Sequence, residues 1–151
     1  MNSTKRSSTK PQPEYVFFTD NDLGRYIVPQ AIESLGVRVE RHHLHFAPQA
    51  PDPEWMAVVG ARGWVALSHN KHLSAEEKHA VFAANLRLFV LIGQRGHPDL
   101  ADTAKRTFAK MITFLATHPG PFIARVHRPE AAKLKHNPGA SGRITLWAPP
   151  W

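Results

Sequence analysis

The sequence predicts an α/β fold: a three-layer sandwich with a mainly parallel central sheet of four to six strands flanked by helices. Two observations predict it. Short apolar runs, typical of strands buried on both faces, alternate with helical stretches along most of the chain. The chain also has 151 residues and no cysteine, which is long enough to bury a core in one domain without disulfides.

The first strand, helix and second strand follow from local patterns near the start of the chain. Residues 15–19 are a continuous apolar and aromatic run, which predicts a central strand. Residues 29–36 predict a short helix, because proline stands in its first turn and glycine just past its end. Residues 37–41 alternate between apolar and charged side chains, so we expect a second strand there.

A proline-rich loop then leads into the next helix and strand. Asp52 followed by Pro53 is typical of a helix N-cap with proline at the first helical position, so we expect a helix over 53–62. Residues 64–68 form an apolar run that predicts the third buried strand.

The second half of the chain continues the alternation. We expect a helix over 75–84, a strand over 87–92 and a strand over 122–126. Between those strands, apolar side chains spaced for one face predict a long amphipathic helix over 97–117. Residues 144–147 predict one more strand, at an edge of the sheet.

Composition favours a basic protein with a polyanionic partner. The formal net charge is +7 with ten histidines besides, which favours nucleic acid, although many basic proteins are basic only for solubility. No apolar run is long enough to span a bilayer. Residues 1–13 are basic and lack the apolar core of a secretory signal, so we expect a disordered tail before a single domain over 14–151, located in the cytoplasm.

Acidic and polar side chains follow the first three predicted strands. Asp20 and Asp22 follow the first strand, Asp52 and Glu54 open the helix after the second, and Ser68, His69 and Asn70 end the third. Because parallel strands end at the same edge of a sheet, we expect these side chains to converge. Oxygen ligands of this kind suit Mg²⁺ or Mn²⁺. The predicted catalytic residues are Asp20, Asp22, Asp52, Glu54 and Asn70, of which Asp20, Asp22, Glu54 and Asn70 are the predicted metal ligands.

Each acid also has a purely local interpretation. Asp20 could end a strand in an Asx turn, Asp52 could only cap a helix, and Glu54 could only interact with the helix dipole. Two carboxylates as close as Asp20 and Asp22 repel each other unless a cation is bound, which puts the functional interpretation of the pair level with the local one, and only convergence of all the clusters separates the two. A second arrangement, a transition-metal site on one face of a strand, would use His42, His43 and His45, but no fourth ligand is evident.

The ordered motifs between residues 17 and 73 resemble those of PIN-like nucleases, specifically the VapC-type toxins of toxin-antitoxin modules and their compact relatives. The motifs that carry the resemblance are TDNDL at 19–23, GVRV at 36–39, DPE at 52–54 and GWVALSHNK at 63–71. The resemblance implies a PIN-like fold and a metal-dependent endoribonuclease in which Mg²⁺ or Mn²⁺ activates a water. It also implies Asp20 as a principal metal ligand, a cognate antitoxin protein that blocks the site, and often a homodimer.

Asn70 departs from the family pattern, because relatives commonly carry an aspartate there. An amide oxygen can ligate Mg²⁺ but brings no charge, so metal affinity could fall. The alternative function is therefore a catalytically weakened PIN-like module that binds nucleic acid or a partner. A phosphatase or response-regulator-like domain also uses acidic strand ends around Mg²⁺, but no convincing pair of nucleophile and downstream lysine is present at the usual strand ends.

Basic and polar side chains near the same edge are candidates for binding the RNA substrate. The predicted substrate-binding residues are Ser68, His69, Lys71, Arg25, Arg125 and Arg128. Residues 129–142 are rich in proline, glycine, lysine and asparagine, which predicts a mobile loop that could order on a phosphate backbone.

Overall fold

A computed structural model describes residues 14–149, and these residues form one six-stranded sheet. The strands are β1 (Val16–Thr19), β2 (Arg38–Arg41), β3 (Val65–Ser68), β4 (Arg87–Ile92), β5 (Phe122–His127) and β6 (Arg143–Ala148). Their order across the sheet is β2-β1-β3-β4-β5-β6; the first five are parallel, and β6 runs antiparallel to β5. The predicted tail over 1–13 lies outside the described residues.

The helices cover both faces of the sheet. They are α1 (Ile27–Glu33), α2 (Asp52–Ala61), α3 (Ala75–Ala83), α4 (His97–Thr117) and α5 (Ala131–His136). One core contains side chains of α1 and α4, and the other contains side chains of α2 and α3. The predicted α/β sandwich with a mainly parallel sheet is therefore confirmed. No helix within residues 14–149 is long and apolar enough to cross a membrane.

Strand β1 shows why a continuous apolar run predicts a central strand. Successive side chains point to opposite faces of a sheet, so both must be apolar when both faces are covered. Phe17 packs against Phe108 of α4, with ring centroids 5.5 Å apart, while Phe18 stacks on Trp55 of α2 at 5.1 Å. Both phenylalanines are fully buried. Strand β1 is thus held between the two cores, and this sets the position of the residues that directly follow the strand.

The strand order creates a crevice at the carboxyl end of β1. The chain leaves β1 through α1 to β2 on one side, then crosses through α2 to β3 on the other side. The connections through α1 and through α2 therefore lie on opposite faces of the sheet, and they separate at the neighbouring strands β1 and β3. In open α/β sheets this divergence leaves the crevice in which ligands bind.

The segment over 129–142 differs from the predicted mobile loop. It contains α5 and is held against α4 by three anchors. The Arg106 guanidinium donates to Ala140 O at 3.3 Å, Lys110 Nζ donates to Gly142 O at 2.6 Å, and Gly142 N–H donates to Thr107 Oγ1 at 3.0 Å. Composition alone predicted flexibility. It does not reveal these contacts, because the partners lie on a helix more than thirty residues away in sequence.

Candidate active site at the carboxyl edge of the sheet

An acidic cleft of about 400 Å³ opens at the crevice between β1 and β3. We call it the acidic cleft throughout. Its lining residues are Asp20, Asn21, Asp22, His42, Pro48, Ala50, Asp52 and Asn70. The structure therefore brings together four of the five predicted catalytic residues, which come from the ends of β1 and β3 and the start of α2.

Asp20 is the buried acid at the end of β1. Its backbone N–H donates to Leu67 O at 2.9 Å, which holds the residue against β3, and its carboxylate accepts a bond from Asn21 N–H at 2.6 Å. Burial, together with the nearby carboxylates of Asp22 and Asp52, raises the pKa of Asp20 to about 8. Asp20 thus forms the local turn that its sequence permits. Its carboxyl group is also difficult to ionise, and a turn alone does not require that.

Asp22 faces the exit of β3. Its carboxylate accepts a bond from the backbone N–H of His69 at 3.0 Å. Desolvation of the carboxylate raises the pKa of Asp22, while this bond and the nearby imidazoles of His69 and His97 oppose the rise. The bond fixes Asp22 to the loop after β3.

Asp52 does not cap α2, in contrast to the sequence-based expectation. Pro51 is the N-cap residue and Asp52 is the first residue of the helix. The carboxylate of Asp52 instead accepts a bond from Trp55 Nε1 at 3.0 Å. Burial raises the pKa of Asp52 to about 6, and a hydrogen bond with Glu77 adds to the rise. The capping interpretation therefore does not account for Asp52.

Glu77 is an acidic residue near the cleft that the sequence reasoning missed. It stands in the first turn of α3, where its backbone N–H donates to Ser74 Oγ at 3.0 Å and its carboxylate accepts from Ser74 N–H at 2.8 Å. Burial alone would raise the pKa of Glu77, but the bonds from Ser74 and Asp52 lower it overall. Since the pKa of Asp52 rises and that of Glu77 falls, Asp52 is the first of the two carboxyls to take up a proton as the pH falls, and it then donates a hydrogen bond to Glu77.

Glu54 lies outside the acidic cleft. It is exposed in the first turn of α2 and does not line the cavity. Asp52 and Glu54 are two residues apart on a helix, and side chains at that spacing do not face each other. Asp52 is therefore directed into the site while Glu54 is not.

The polar residues after β3 brace their own loop. Ser68 Oγ accepts a bond from Asn70 N–H at 3.2 Å, and Asn70 Oδ1 accepts from His72 N–H at 3.0 Å. His69 Nδ1 donates to Leu91 O at 2.7 Å, which ties the loop to β4. Ser68 is also buried. These side chains have structural partners already, so Lys71, which is half-buried beside them, is the more available of the predicted substrate contacts in this loop.

The three predicted arginine contacts do not line the acidic cleft. Arg25 is exposed after the turn that carries Asp22. Its charge acts on His43: desolvation lowers the pKa of His43, and the positive charge of Arg25 lowers that pKa further. Arg125 lies on β5, with its guanidinium 4.1 Å from the ring centroid of Trp147. Arg128 follows β5, with Nη1 3.7 Å from Asp99 Oδ1.

The three histidines after β2 do not converge. They lie on a 3₁₀ turn and its end, not on a strand as the transition-metal interpretation requires. His42 is buried against Phe18 and Phe46, whereas His45 Nε2 lies 2.7 Å from Glu40 Oε1.

The acidic cleft has the donor chemistry of a hard divalent cation. Within residues 14–149, no three His, Asp or Glu side chains are positioned to hold a metal ion by themselves. Mg²⁺ does not need such a cage, because it keeps several waters and is commonly bound by one or two carboxylates plus substrate phosphates. Asp20 and Asp22 supply two carboxylates whose repulsion a cation would remove. The residues present therefore fit an open site that is completed by water and substrate.

The fold and the acidic cleft define a nuclease-type α/β module, and a comparison with protein families agrees. The model of the PIN like domain family matches residues 15–93, which is 79 of the 151 residues and covers β1 to β4. The chain belongs to this PIN-like domain family. PIN-like domains are generally nucleases and typically use divalent metals, which supports a nuclease-type hydrolase. No curated protein and no solved structure matches the chain.

Proposed function

We propose that the protein is a metal-dependent endoribonuclease that cleaves RNA phosphodiester bonds with a water activated by Mg²⁺ or Mn²⁺. The observation that carries the proposal is the convergence of Asp20, Asp22 and Asp52 in one cleft at the sheet crevice. The raised pKa values of all three carboxyls support it, because groups perturbed by burial and by like charges in a cleft are typical of functional sites.

The chain's own residues would share the work as follows. Asp20 and Asp22 would hold the cation, and Asp20 would first have to release the proton that its pKa of about 8 retains at neutral pH. Asp52, with a pKa of about 6, can take up and return a proton near neutral pH. A bound divalent cation would lower the pKa of a water molecule and stabilise charge on the phosphodiester.

Glu77 and Asn70 are assigned supporting roles. Glu77 accepts the bond from Asp52 and so sets its orientation and its pKa. The amide oxygen of Asn70 already accepts from His72 N–H, so it adds a neutral oxygen to the cleft wall and no charge. The negative charge that a cation would meet therefore comes from the carboxylates, with Asp20 contributing once it has lost its proton.

RNA cleavage by the purified full-length protein tests the proposal. We expect cutting of a mixed RNA with Mg²⁺ or Mn²⁺, and we expect Asp20→Asn to lose it with the fold intact. Asp102→Asn is the matched control, because it makes the same chemical change at an exposed aspartate paired with Arg106 on α4. Equal cutting by Asp20→Asn and Asp102→Asn would show that the acidic cleft is not the active site.

We further propose a biological role as a VapC-type toxin of a toxin-antitoxin module in the cytoplasm. This rests on the resemblance of the motifs over 17–73, and it includes a cognate antitoxin that covers the cleft and a homodimer. Growth arrest on induced expression, relieved by co-expression of a neighbouring small gene, is the expected result. Growth arrest that persists in Asp20→Asn cells would contradict a toxin that acts by cleavage.

A second candidate is a PIN-like module that binds nucleic acid or a partner with weakened catalysis. Two points favour it: Asn70 stands where the family resemblance implies an aspartate, and no three acidic or histidine side chains within 14–149 are positioned to hold a metal. Titration calorimetry with Mn²⁺ separates the candidates. A nuclease takes up Mn²⁺ at the acidic cleft, whereas a binding module binds RNA with no heat of Mn²⁺ binding.

A further inference from the structure

A second cleft lies at the carboxyl ends of β4 and β5, and we call it the basic cleft. It consists of two cavities of about 340 and 160 Å³ that share Arg128 and Arg143 in their walls. The charged residues that line it are Arg95, Arg128, Lys133 and Arg143, with Asp99 and Glu130 as the acids. Positive charges therefore outnumber negative charges four to two.

Most of this positive charge has no internal partner. The ion pair of Arg128 with Asp99 is long, at 3.7 Å. Within residues 14–149, Arg95, Lys133 and Arg143 make no ion pair. Burial together with the charges of Arg143 and Arg125 lowers the pKa of His127 in the same wall. An anion bound there would meet three cationic side chains that are not already neutralised.

The basic cleft is built on ordered elements. Arg143 is the first residue of β6 and pairs in register with His127 of β5, while Arg128 directly follows β5. Gly142 is bonded to Thr107 and Lys110 of α4, which anchors the chain just before Arg143. The backbone positions of Arg128 and Arg143 are thus fixed by the sheet and by α4.

The first turn of α4 joins the two clefts. His97 Nε2 donates to Asp22 O at 3.2 Å on the acidic side, and Asp99 two residues later lines the basic cleft. The bond from His69 to Leu91 O also links the loop after β3 to the end of β4. Both clefts therefore lie along the same carboxyl edge of the sheet, next to each other.

We propose that the basic cleft binds the phosphate backbone of single-stranded RNA on one side of the bond that is cut in the acidic cleft. Guanidinium groups suit this role, because they bind phosphate oxygens through paired hydrogen bonds. The small cavities, of about 340 and 160 Å³, favour a single flexible strand over a rigid duplex, since a single strand can bend its backbone into them. The proposal rests on the proposed ribonuclease function for the position of the cut, but not for binding itself.

Binding of a short fluorescein-labelled single-stranded RNA, measured by anisotropy over a range of NaCl concentrations, tests the proposal. The full-length Asp20→Asn protein is the parent, so that binding is separated from cutting. Arg95→Ala and Arg143→Ala are compared with Lys105→Ala, which removes the same charge from an exposed position on α4 that lines neither cleft. Unchanged thermal unfolding midpoints verify that the variants fold.

Each arginine variant should weaken binding about five- to tenfold and lower the salt slope by about 0.7, the value for one lost phosphate contact on a single strand. Lys105→Ala should change binding less than about twofold. Arg143→Lys should restore most of the salt slope, because it restores the charge. A duplex of the same sequence should bind more weakly than the single strand.

The proposal is overturned if both arginine variants behave like Lys105→Ala, or if the duplex binds as tightly as the single strand. These outcomes are separate from those that bear on the proposed function. A protein that binds RNA through the basic cleft but never cuts it refutes the ribonuclease and leaves this inference standing. A protein that cuts RNA and is insensitive to Arg95→Ala and Arg143→Ala refutes this inference alone.

Discussion

Replacing Asp20 by asparagine changes the electrostatics of the acidic cleft with little change in shape. The pKa of Asp20 rises from 3.8 to about 8 in the folded protein. Below about pH 4 the carboxyl is protonated in both the folded and the unfolded chain, so it has no effect on stability. As the pH rises the unfolded chain ionises first, and the folded state loses stability until about pH 8.

The magnitude follows from the size of the shift. One pKa unit corresponds to about 1.36 kcal/mol, and roughly three units separate the unfolded pKa from pH 7, which gives an upper limit of about 4 kcal/mol. Asparagine removes this penalty, but its amide oxygen accepts the Asn21 N–H bond less strongly than a carboxylate. We therefore expect Asp20→Asn to gain about 1–3 kcal/mol near neutral pH, or about 3–10 °C in Tm.

Thermal unfolding with a chelator present, at a series of pH values, measures this gain. The wild-type protein should lose stability from about pH 4 to about pH 8, whereas Asp20→Asn should lose less. Asp102→Asn should follow the wild type, because Asp102 is exposed. Parallel curves for the wild type and Asp20→Asn would refute the account of a repelled, desolvated carboxyl.

Three further predictions concern metal binding, the carboxylate of Glu77 and the packing of Gly142. Mn²⁺ affinity should rise with pH across the interval from about 6 to about 8, with proton release on binding, because Asp20 and Asp52 must ionise; calorimetry in buffers of different ionisation enthalpy measures this, and pH-independent affinity contradicts it. Glu77→Gln should reduce RNA cleavage by about tenfold or more and shift its pH profile, whereas Glu54→Gln should leave both unchanged; equal effects would mean that Glu77 has no special role. Gly142→Ala should cost about 2–4 kcal/mol in urea denaturation, because a Cβ there would lie 1.8 Å from His127 O, whereas Gly139→Ala meets nothing closer than 3.6 Å and should be tolerated; similar costs at both positions would contradict the close approach of Gly142 to β5.

The parts of the fold set by local signals were predictable from the sequence. The amphipathic period predicted α4 over the residues that the structure shows, and the apolar run 87–92 predicted β4 equally well. Asp20 and Asp22 were found for a general reason: side chains that directly follow a parallel strand must lie at the carboxyl edge.

The parts that failed depend on rotation about a helix or on contacts between distant segments. The spacing of Asp52 and Glu54 suggested two acids in one site, but helical geometry turns one of them away. The helix expected over 75–84 is present as α3, and in the structure Ser74 and Glu77 form a capping box at its start. Nothing local could show that packing of α3 on α2 also places Glu77 beside Asp52.

The distribution of ion pairs among the acidic residues gives the strongest argument that the acidic cleft binds a cation. Basic residues outnumber acidic ones by 19 to 12, so cationic partners were plentiful. On the surface the acids use them: Glu33 pairs with Arg41, and Asp102 pairs with Arg106. Within residues 14–149, Asp20, Asp22 and Asp52 have no such ion pair, although Asp20 is buried and would gain most from one.

A structural role for these acids would be satisfied by a neighbouring lysine or arginine, which would lower their pKa values and stabilise the fold. The pKa values are instead raised, by desolvation in all three acids and additionally by neighbouring carboxylates at Asp20 and Asp52. A site that keeps its charges uncompensated in this way can accept a cation from solution, since a resident side chain would compete with it. Proton release on addition of Mn²⁺ is consequently a more direct test of the acidic cleft than cleavage, because it depends on these three carboxyls and not on the choice of RNA.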